Sequence, residues 1–308
     1  MARRFVVLVI MAGAVLLVCS ALASAAVRTG NEGDNTLMGT RYKDSITGKG
    51  DDRTVGKGGN DTYFYADDWG HDTVVDSGGT DTLDFSAVTG GVNVRLCSPV
   101  EAHDGLLSGS DGGNAVTSTS RIENVRGSLG NDEILGCFGK NTLSGGGYEP
   151  SRGVGPFPGE GDLLVDVAGF LPSEPASNDV YVGSKEGSAT VINWGGEADV
   201  LDLRGFHSND TAFFGWDTNS DGTKGSLVVA YGTSDYSYGM MLLANQFEGD
   251  DLNFFETGID ADGRIEQIKF KNKTVTVTPE MAEPASARQS AAIEETLPVD
   301  LSEGSLLP

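Results

Sequence analysis

The chain has 308 residues, with 21 Lys and Arg against 45 Asp and Glu, a formal net charge of −24. A surface this acidic repels nucleic acid and anionic membranes and attracts cations, which argues against basic-patch binding to either. With 44 Gly, few helical periods and no convincing amphipathic helix, the composition predicts many short strands joined by tight turns.

Met1 to Ala25 carries Arg3-Arg4, a mostly apolar run from Phe5 to Leu22, and Ala23-Ser24-Ala25, the pattern of a secretory signal peptide. A transmembrane anchor is the alternative, but Gly13, Cys19 and Ser20 interrupt the run and it ends in small residues. Removing this segment takes two basic residues and no acidic one, leaving 19 against 45 and a net charge of −26. The mature chain is expected to be secreted, without a membrane span.

From Gly30 to Phe64 come four loosely repeated units. They begin at Gly30, Gly39, Gly48 and Gly56, with Asn35, Asp44, Asp52 and Asp61 at the recurring polar position. A β-forming residue follows each: Leu37, Ile46, Val55 and Tyr63. A period near nine residues predicts a solenoid, in which one unit alone buries almost nothing and stacking makes the core. The glycines allow positive φ and close backbone approach in the loops. Carbonyls and one Asp per loop then make an oxygen-only cage suited to Ca2+. The candidate ligands are Gly33, Asp34, Asn35, Asp44, Gly50, Asp51, Asp52, Gly58, Gly59, Asn60 and Asp61.

Beyond this array, Trp69 to Asp76 and Gly78 to Phe85 alternate as strands do. The same grammar returns at Asn178 to Val182, Ala189 to Asn193 and Gly195 to Leu203, a long-range internal repeat. Val92 to Leu96 reads as a strand, and Ala102 to Ser118 as a Gly/Ser-rich excursion. The solenoid resumes from Ile122 to Leu143, with Gly130, Asn131, Asp132 and Asn141 as further candidate ligands. It stops at Gly145-Gly146-Gly147. A Gly/Pro-rich insertion to Ser177 follows, with one expected strand at Leu163 to Val167.

Asp217-Thr218-Asn219-Ser220-Asp221-Gly222 places side-chain oxygens at alternate positions before a Gly, so Asp217, Asn219 and Asp221 are candidates for a separate calcium loop. An Asx-rich hairpin turn is the alternative reading. From Pro279 the chain is Ala, Pro, Glu and Ser, composition expected of a disordered tail. The expected divisions are a signal peptide over 1–25, a roll over 26–147, an insertion loop over 148–177, a β-rich capping region over 178–278 and the tail over 279–308. Cys97 and Cys137, the two cysteines left after signal removal, are candidates for a disulfide in an oxidising compartment.

Gly58-Gly59-Asn60-Asp61-Thr62-Tyr63 and Gly127-Ser128-Leu129-Gly130-Asn131-Asp132 resemble the RTX family, the haemolysin-type calcium-binding repeats. Asp34-Asn35 reverses that family's usual order, and Tyr42 stands where it has Gly. Leu243 to Phe247 followed by Ile265 to Phe270 resembles the C-terminal region of some haemolysin-type proteins. The resemblance implies an all-β fold, a parallel β-roll binding several Ca2+ ions. It also implies company with peptidase, lipase or epimerase domains, of which this chain carries no motif. The reading is therefore a secreted calcium-binding protein, not an enzyme, that folds on calcium. A polysaccharide-modifying or proteolytic enzyme without a recognisable motif, or a surface adhesion or matrix module, is the alternative. An extracellular polysaccharide or protein partner is left open.

Overall fold

The computed structural model describes residues 25–97, 99–104, 113–137, 139–146, 161–166, 177–183, 187–193, 198–216, 226–232, 238–244, 246 and 264–282. The first turns are β1 (Val27–Thr29), β2 (Thr36–Met38), β3 (Ser45–Thr47), β4 (Arg53–Lys57), β5 (Thr62–Ala66), β6 (His71–Asp76), β7 (Thr82–Ala87) and β8 (Val92–Arg95). A hairpin, β9 (Val100–Asp104) and β10 (Ala115–Ser118), precedes β11 (Asn124–Arg126), β12 (Glu133–Gly136), β13 (Thr142–Ser144) and β14 (Asp162–Asp166). Then come β15 (Val180–Val182), β16 (Gly187–Ile192), β17 (Asp199–Leu203), β18 (Thr211–Trp216), β19 (Ser226–Gly232), β20 (Tyr238–Leu243), β21 (Ile265–Phe270) and β22 (Thr274–Thr276).

From β1 to β8 and again from β10 to β18 successive strands alternate between two sheets, which makes a parallel β-roll. One sheet of ten strands runs β1-β3-β5-β7-β11-β13-β15-β17-β21-β22, and the facing sheet of twelve runs β2-β4-β6-β10-β9-β8-β12-β14-β16-β20-β19-β18. Both run unbroken past Gly146 and through the insertion, where β14 pairs on one side with β12 and on the other with β16. The strand expected at Leu163 to Val167 lies one residue earlier. The hairpin β9–β10 is antiparallel and lies between β8 and β6. At the far end β18–β19–β20 and β21–β22 turn antiparallel.

The core is two columns of side chains, one per sheet, because period-two alternation sends every second residue inward. In the first sheet Ile46, Tyr63, Leu83, Val125, Leu143, Tyr181, Leu201 and Ile268 stand in consecutive register and all are buried. In the second Val94, Ile134, Leu164, Val191, Leu243 and Leu227 do the same. Cys97 and Cys137, at the ends of the paired strands β8 and β12, form a disulfide with their Cα atoms 5.1 Å apart.

Among the described residues the helical segments are two short 3-10 turns, Ser208–Asp210 and Pro279–Ala282. The second corrects the expectation of an unfolded tail from Pro279. Ala282 is buried and Met281 packs against the core. Residues 283–308 lie outside the described residues, as do Met1 to Ser24 of the signal-peptide reading. Among the described residues no helix is long and apolar enough to cross a membrane.

Candidate metal centre

Each turn of a parallel roll leaves loop amides that no strand pairs, and a buried N–H must find an acceptor. Here the acceptor is the carboxylate of the next turn. The Asp44 N–H donates to Asp61 Oδ1 at 2.7 Å, Asp61 to Asp81 Oδ1 at 2.7 Å and Asp81 to Glu123 Oε2 at 2.8 Å. The row continues from Asn141 to Asp179 at 2.6 Å, Asp179 to Asp199 at 2.6 Å and Asp199 to Glu266 at 2.5 Å. Along the other edge, Asn35 donates to Asp52, Asp52 to Asp72, Val92 to Asp132, and Asp132 to Asp162. Two ladders of stacked acidic groups thus run along the roll, held by short, charge-assisted bonds.

The ladder carboxylates differ in what meets their second oxygen. Asp44 is closed by its own loop: Thr40 donates its N–H to Oδ2 and its hydroxyl to Oδ1. Asp132 is closed alike, with the Ser128 N–H on Oδ2 at 2.7 Å and its Oγ on Oδ1 at 2.5 Å. Lys49 donates its N–H to Asp52 Oδ2 at 2.8 Å, and Asn35 is tied to Asn31 and to the Gly33 carbonyl. Asp61 and Asp72 are open. Each is buried, and the Oδ2 of each has no hydrogen-bond partner.

Around Asp61 the open position becomes a cluster. Asp61, Asp76 and Asp81 bring one carboxylate oxygen each to within 4.8 Å of one another. Asp76, at the end of β6, accepts the Tyr63 hydroxyl on Oδ2 at 2.5 Å and the Gly78 N–H on Oδ1 at 2.9 Å. Gly56 forms the wall opposite. A Cβ there would lie 2.1 Å from Asp76 Oδ2, 2.2 Å from Tyr63 Oη and 2.4 Å from Asp61 Oδ2, so the space belongs to the carboxylates. Burial, with the charge of Asp76 adding to it, pushes Asp61 up to about 6, and burial with Asp76 and Glu123 pushes Asp81 up to about 7. Burial likewise raises the Tyr63 hydroxyl. Three converging carboxylates, one with an orphaned oxygen, are short of positive charge. The donors are all oxygen, which fits Ca2+ and not a thiolate- or imidazole-seeking metal. On the other ladder, burial and the charges of Asp52 and Asp51 push Asp72 up to about 7.

The other candidate residues serve the loops. Gly50 and Gly59 have φ of 88° and 112°, and a Cβ at either would strike the backbone of the neighbouring turn. Gly59 donates its N–H to the Gly78 carbonyl at 3.2 Å, so Gly58-Gly59 lies on the loop of the next turn. Asn60 Oδ1 accepts the Thr80 N–H at 3.1 Å and Asp51 Oδ1 the His71 N–H at 2.9 Å, each bridging two turns. Gly33 and Asp34 are exposed. Gly130 donates to Ser128 Oγ, and the Asn131 carbonyl faces Gly91. Asn141 is buried, its Oδ1 without a hydrogen-bond partner. Asp217, Asn219 and Asp221 lie outside the described residues.

Sequence reasoning missed Asp72, Asp76 and Asp81. Asp72 and Asp81 carried a signal, since each stands 20 residues after its ladder partner where the earlier turns advance by 17. Asp76 carried none, because it occupies the loop's first position, where the repeats have Gly.

Compared with known families, residues 29–63 match the RTX calcium-binding nonapeptide repeat (4 copies). Residues 71–288, most of the chain, match the peptidase M10 serralysin C-terminal model. No curated protein matches.

Proposed function

The chain belongs to the family of peptidase M10 serralysin C-terminal domains, and from that membership we propose that it is a secreted, non-catalytic module that Ca2+ folds and holds rigid. Its repeats bind calcium. The observation that carries the finer reading is the orphaned, buried Asp61 Oδ2 inside the three-carboxylate cluster walled by Gly56. Asp61, Asp76 and Asp81 would hold the ion, and Tyr63 would fix the orientation of Asp76. Bound Ca2+ supplies the positive charge that lets all three carboxylates ionise together.

The match covers a C-terminal part of that peptidase family, apart from its chemistry, which supports a binding role. The acidic groups named above stand in the loops between turns, which favours binding or scaffolding over acid–base work. The antiparallel strands β18–β20 and β21–β22 suit a cap, since they end a stack whose parallel edges would otherwise accept another chain. The Arg3-Arg4 and apolar pattern at the N-terminus supports export.

Calcium titration of the secreted chain tests this, with Asp76→Asn as the variant. The amide can donate to a neighbouring carboxylate and take the place of the ion. We expect one fewer calcium bound per chain. Unchanged stoichiometry and affinity would refute the assignment of the centre.

A further inference from the structure

We propose that removal of the signal peptide after Ala25 creates a structural cation: the new α-ammonium group of Ala26 pairs with the buried carboxylate of Asp44 and closes the first end of one acidic ladder. The proposal rests on the export reading above. It concerns a terminus outside both matched models, which begin at residues 29 and 71.

The position follows from register. Val27 pairs with Ser45 as Ser45 pairs with Thr62, so Ala26 stands beside Asp44 in the place that Asp44 takes beside Asp61. The Ala26 nitrogen donates to Asp44 Oδ1 at 2.5 Å, as the Asp44 and Asp61 amides donate to Asp61 and Asp81. Ala26 is thus the first rung of the row. It carries no acidic side chain, so the row of carboxylates ends at Asp44.

What sets this rung apart is its donor. Ala23 and Ala25 stand three and one positions before the bond to Ala26, the small-residue pattern that signal peptidases cut, and Ala25 is exposed. Hydrolysis of the Ala25–Ala26 peptide bond by one water leaves a carboxylate on the departing segment and an amine on Ala26. That amine takes up a proton, since an α-amino group ordinarily titrates at about 8.

Two observations call for a cation at this place. Asp44 is 1% exposed, and its other donors are neutral, the Thr40 amide on Oδ2 and the Thr40 hydroxyl on Oδ1. Among the described residues no Lys or Arg side chain is paired with it. A buried carboxylate met only by neutral donors keeps an uncompensated charge. The strand that follows Ala26 also lacks an anchor. All three residues of β1 are exposed, and the strand is held by backbone pairing with β3 and by Arg28 Nε on the Met38 carbonyl at 2.8 Å. An ion pair at Ala26 fastens the free end of β1 to the loop of the next turn. The uncut chain offers only an amide there, so the pair forms only after export.

The test begins with the mass of the secreted chain, which is expected to start at Ala26; any other start overturns the inference. The variant inserts Gly-Ser between Ala25 and Ala26, so that the cut still falls after Ala25 but Ala26 keeps an amide and the charge moves away. Urea unfolding at fixed calcium compares it with wild type, with Asp44→Asn and with the two combined. The insertion is expected to lower the folding equilibrium constant about tenfold, the difference between a charged and a neutral donor, and to change it less than about twofold beside Asp44→Asn. No loss in the wild-type background, or equal loss in both, overturns the proposal. If Asp44→Asn does not fold, acylation of the terminal amine in calcium decides, read from the mass of the N-terminal peptide. The Ala26 amine is expected to react about tenfold more slowly than the terminus of the extended chain, because Asp44 holds it protonated, and equal rates overturn the proposal. A chain secreted uncut fails the export reading as well, whereas a chain cut at Ala26 and indifferent to the insertion fails this inference alone.

Discussion

Gly59 and Gly78 both have positive φ, 112° and 140°, but only one of them is also walled in. A Cβ at Gly59 would lie 2.5 Å from the carbonyl carbon of Tyr42 and 2.8 Å from the amide of Lys43, atoms that cannot move without displacing a turn, whereas nothing lies within 4 Å of one at Gly78. Gly59→Ala is therefore expected to cost about 3 kcal/mol, strain and overlap together, and Gly78→Ala only about 1 kcal/mol of strain. Thermal unfolding in saturating calcium checks this, and equal losses would mean that close approach between turns plays no part. These loop glycines were legible in the sequence, as was Asp61, because a recurring Gly/Asp pattern needs them, whereas its partners Asp76 and Asp81 were not. What was not legible is which Asp is open. Thr40 and Ser128 close Asp44 and Asp132 through a hydroxyl and an amide two positions into the loop, and nothing in the period distinguishes such a loop from one left open.

Most strands were readable from alternation, since an inward Ile46 or Leu83 stands between outward polar residues. The hairpin β9–β10 was not. Its outward side carries Glu101, His103 and Thr117 and its inward side only Val100, Ala102, Val116 and Ser118, so a segment rich in small and polar residues read as an excursion. It inserts two strands into one sheet, between β6 and β8, where the facing sheet pairs β7 directly with β11. The disulfide fastens the far side of this irregularity by joining the ends of β8 and β12. Closing a loop of 40 residues restricts the unfolded chain by an amount worth about 4 kcal/mol in the chain-entropy model. Cys97→Ser with Cys137→Ser is expected to lose about 2–4 kcal/mol at saturating calcium. Thiol titration of the denatured, unreduced wild type should find no free thiol, and two per chain would remove the basis of the prediction.

At the scale of the whole molecule the roll stacks its charge. Asp44, Asp61 and Asp81 follow one another up one edge, and Asp52 and Asp72 up the other, each turn about 5 Å from the next, in a chain of net charge −24. The core between the edges is a single pair of columns, and burial already lifts Asp61, Asp72 and Asp81 well above the ordinary carboxylate range. Without cations the fold must either protonate these groups or bear their repulsion. A ligand that binds only the folded state adds about 2.7 kcal/mol per site at a hundredfold excess over its dissociation constant, so two or three such sites rival the whole stability of an ordinary domain. The chain is thus expected to be largely unfolded in chelator and β-rich after calcium is added, as read by far-ultraviolet circular dichroism. Asp61→Ala should raise the calcium needed at the midpoint of that transition by tenfold or more, roughly the loss of one ion's contribution, while Asp34→Ala, on the exposed part of the first loop, should leave it within about twofold. A chelated protein that is already β-rich and melts at the same temperature with or without calcium would mean that the hydrophobic columns alone hold the roll, and that the acidic ladders are only its hydrogen-bonded trim.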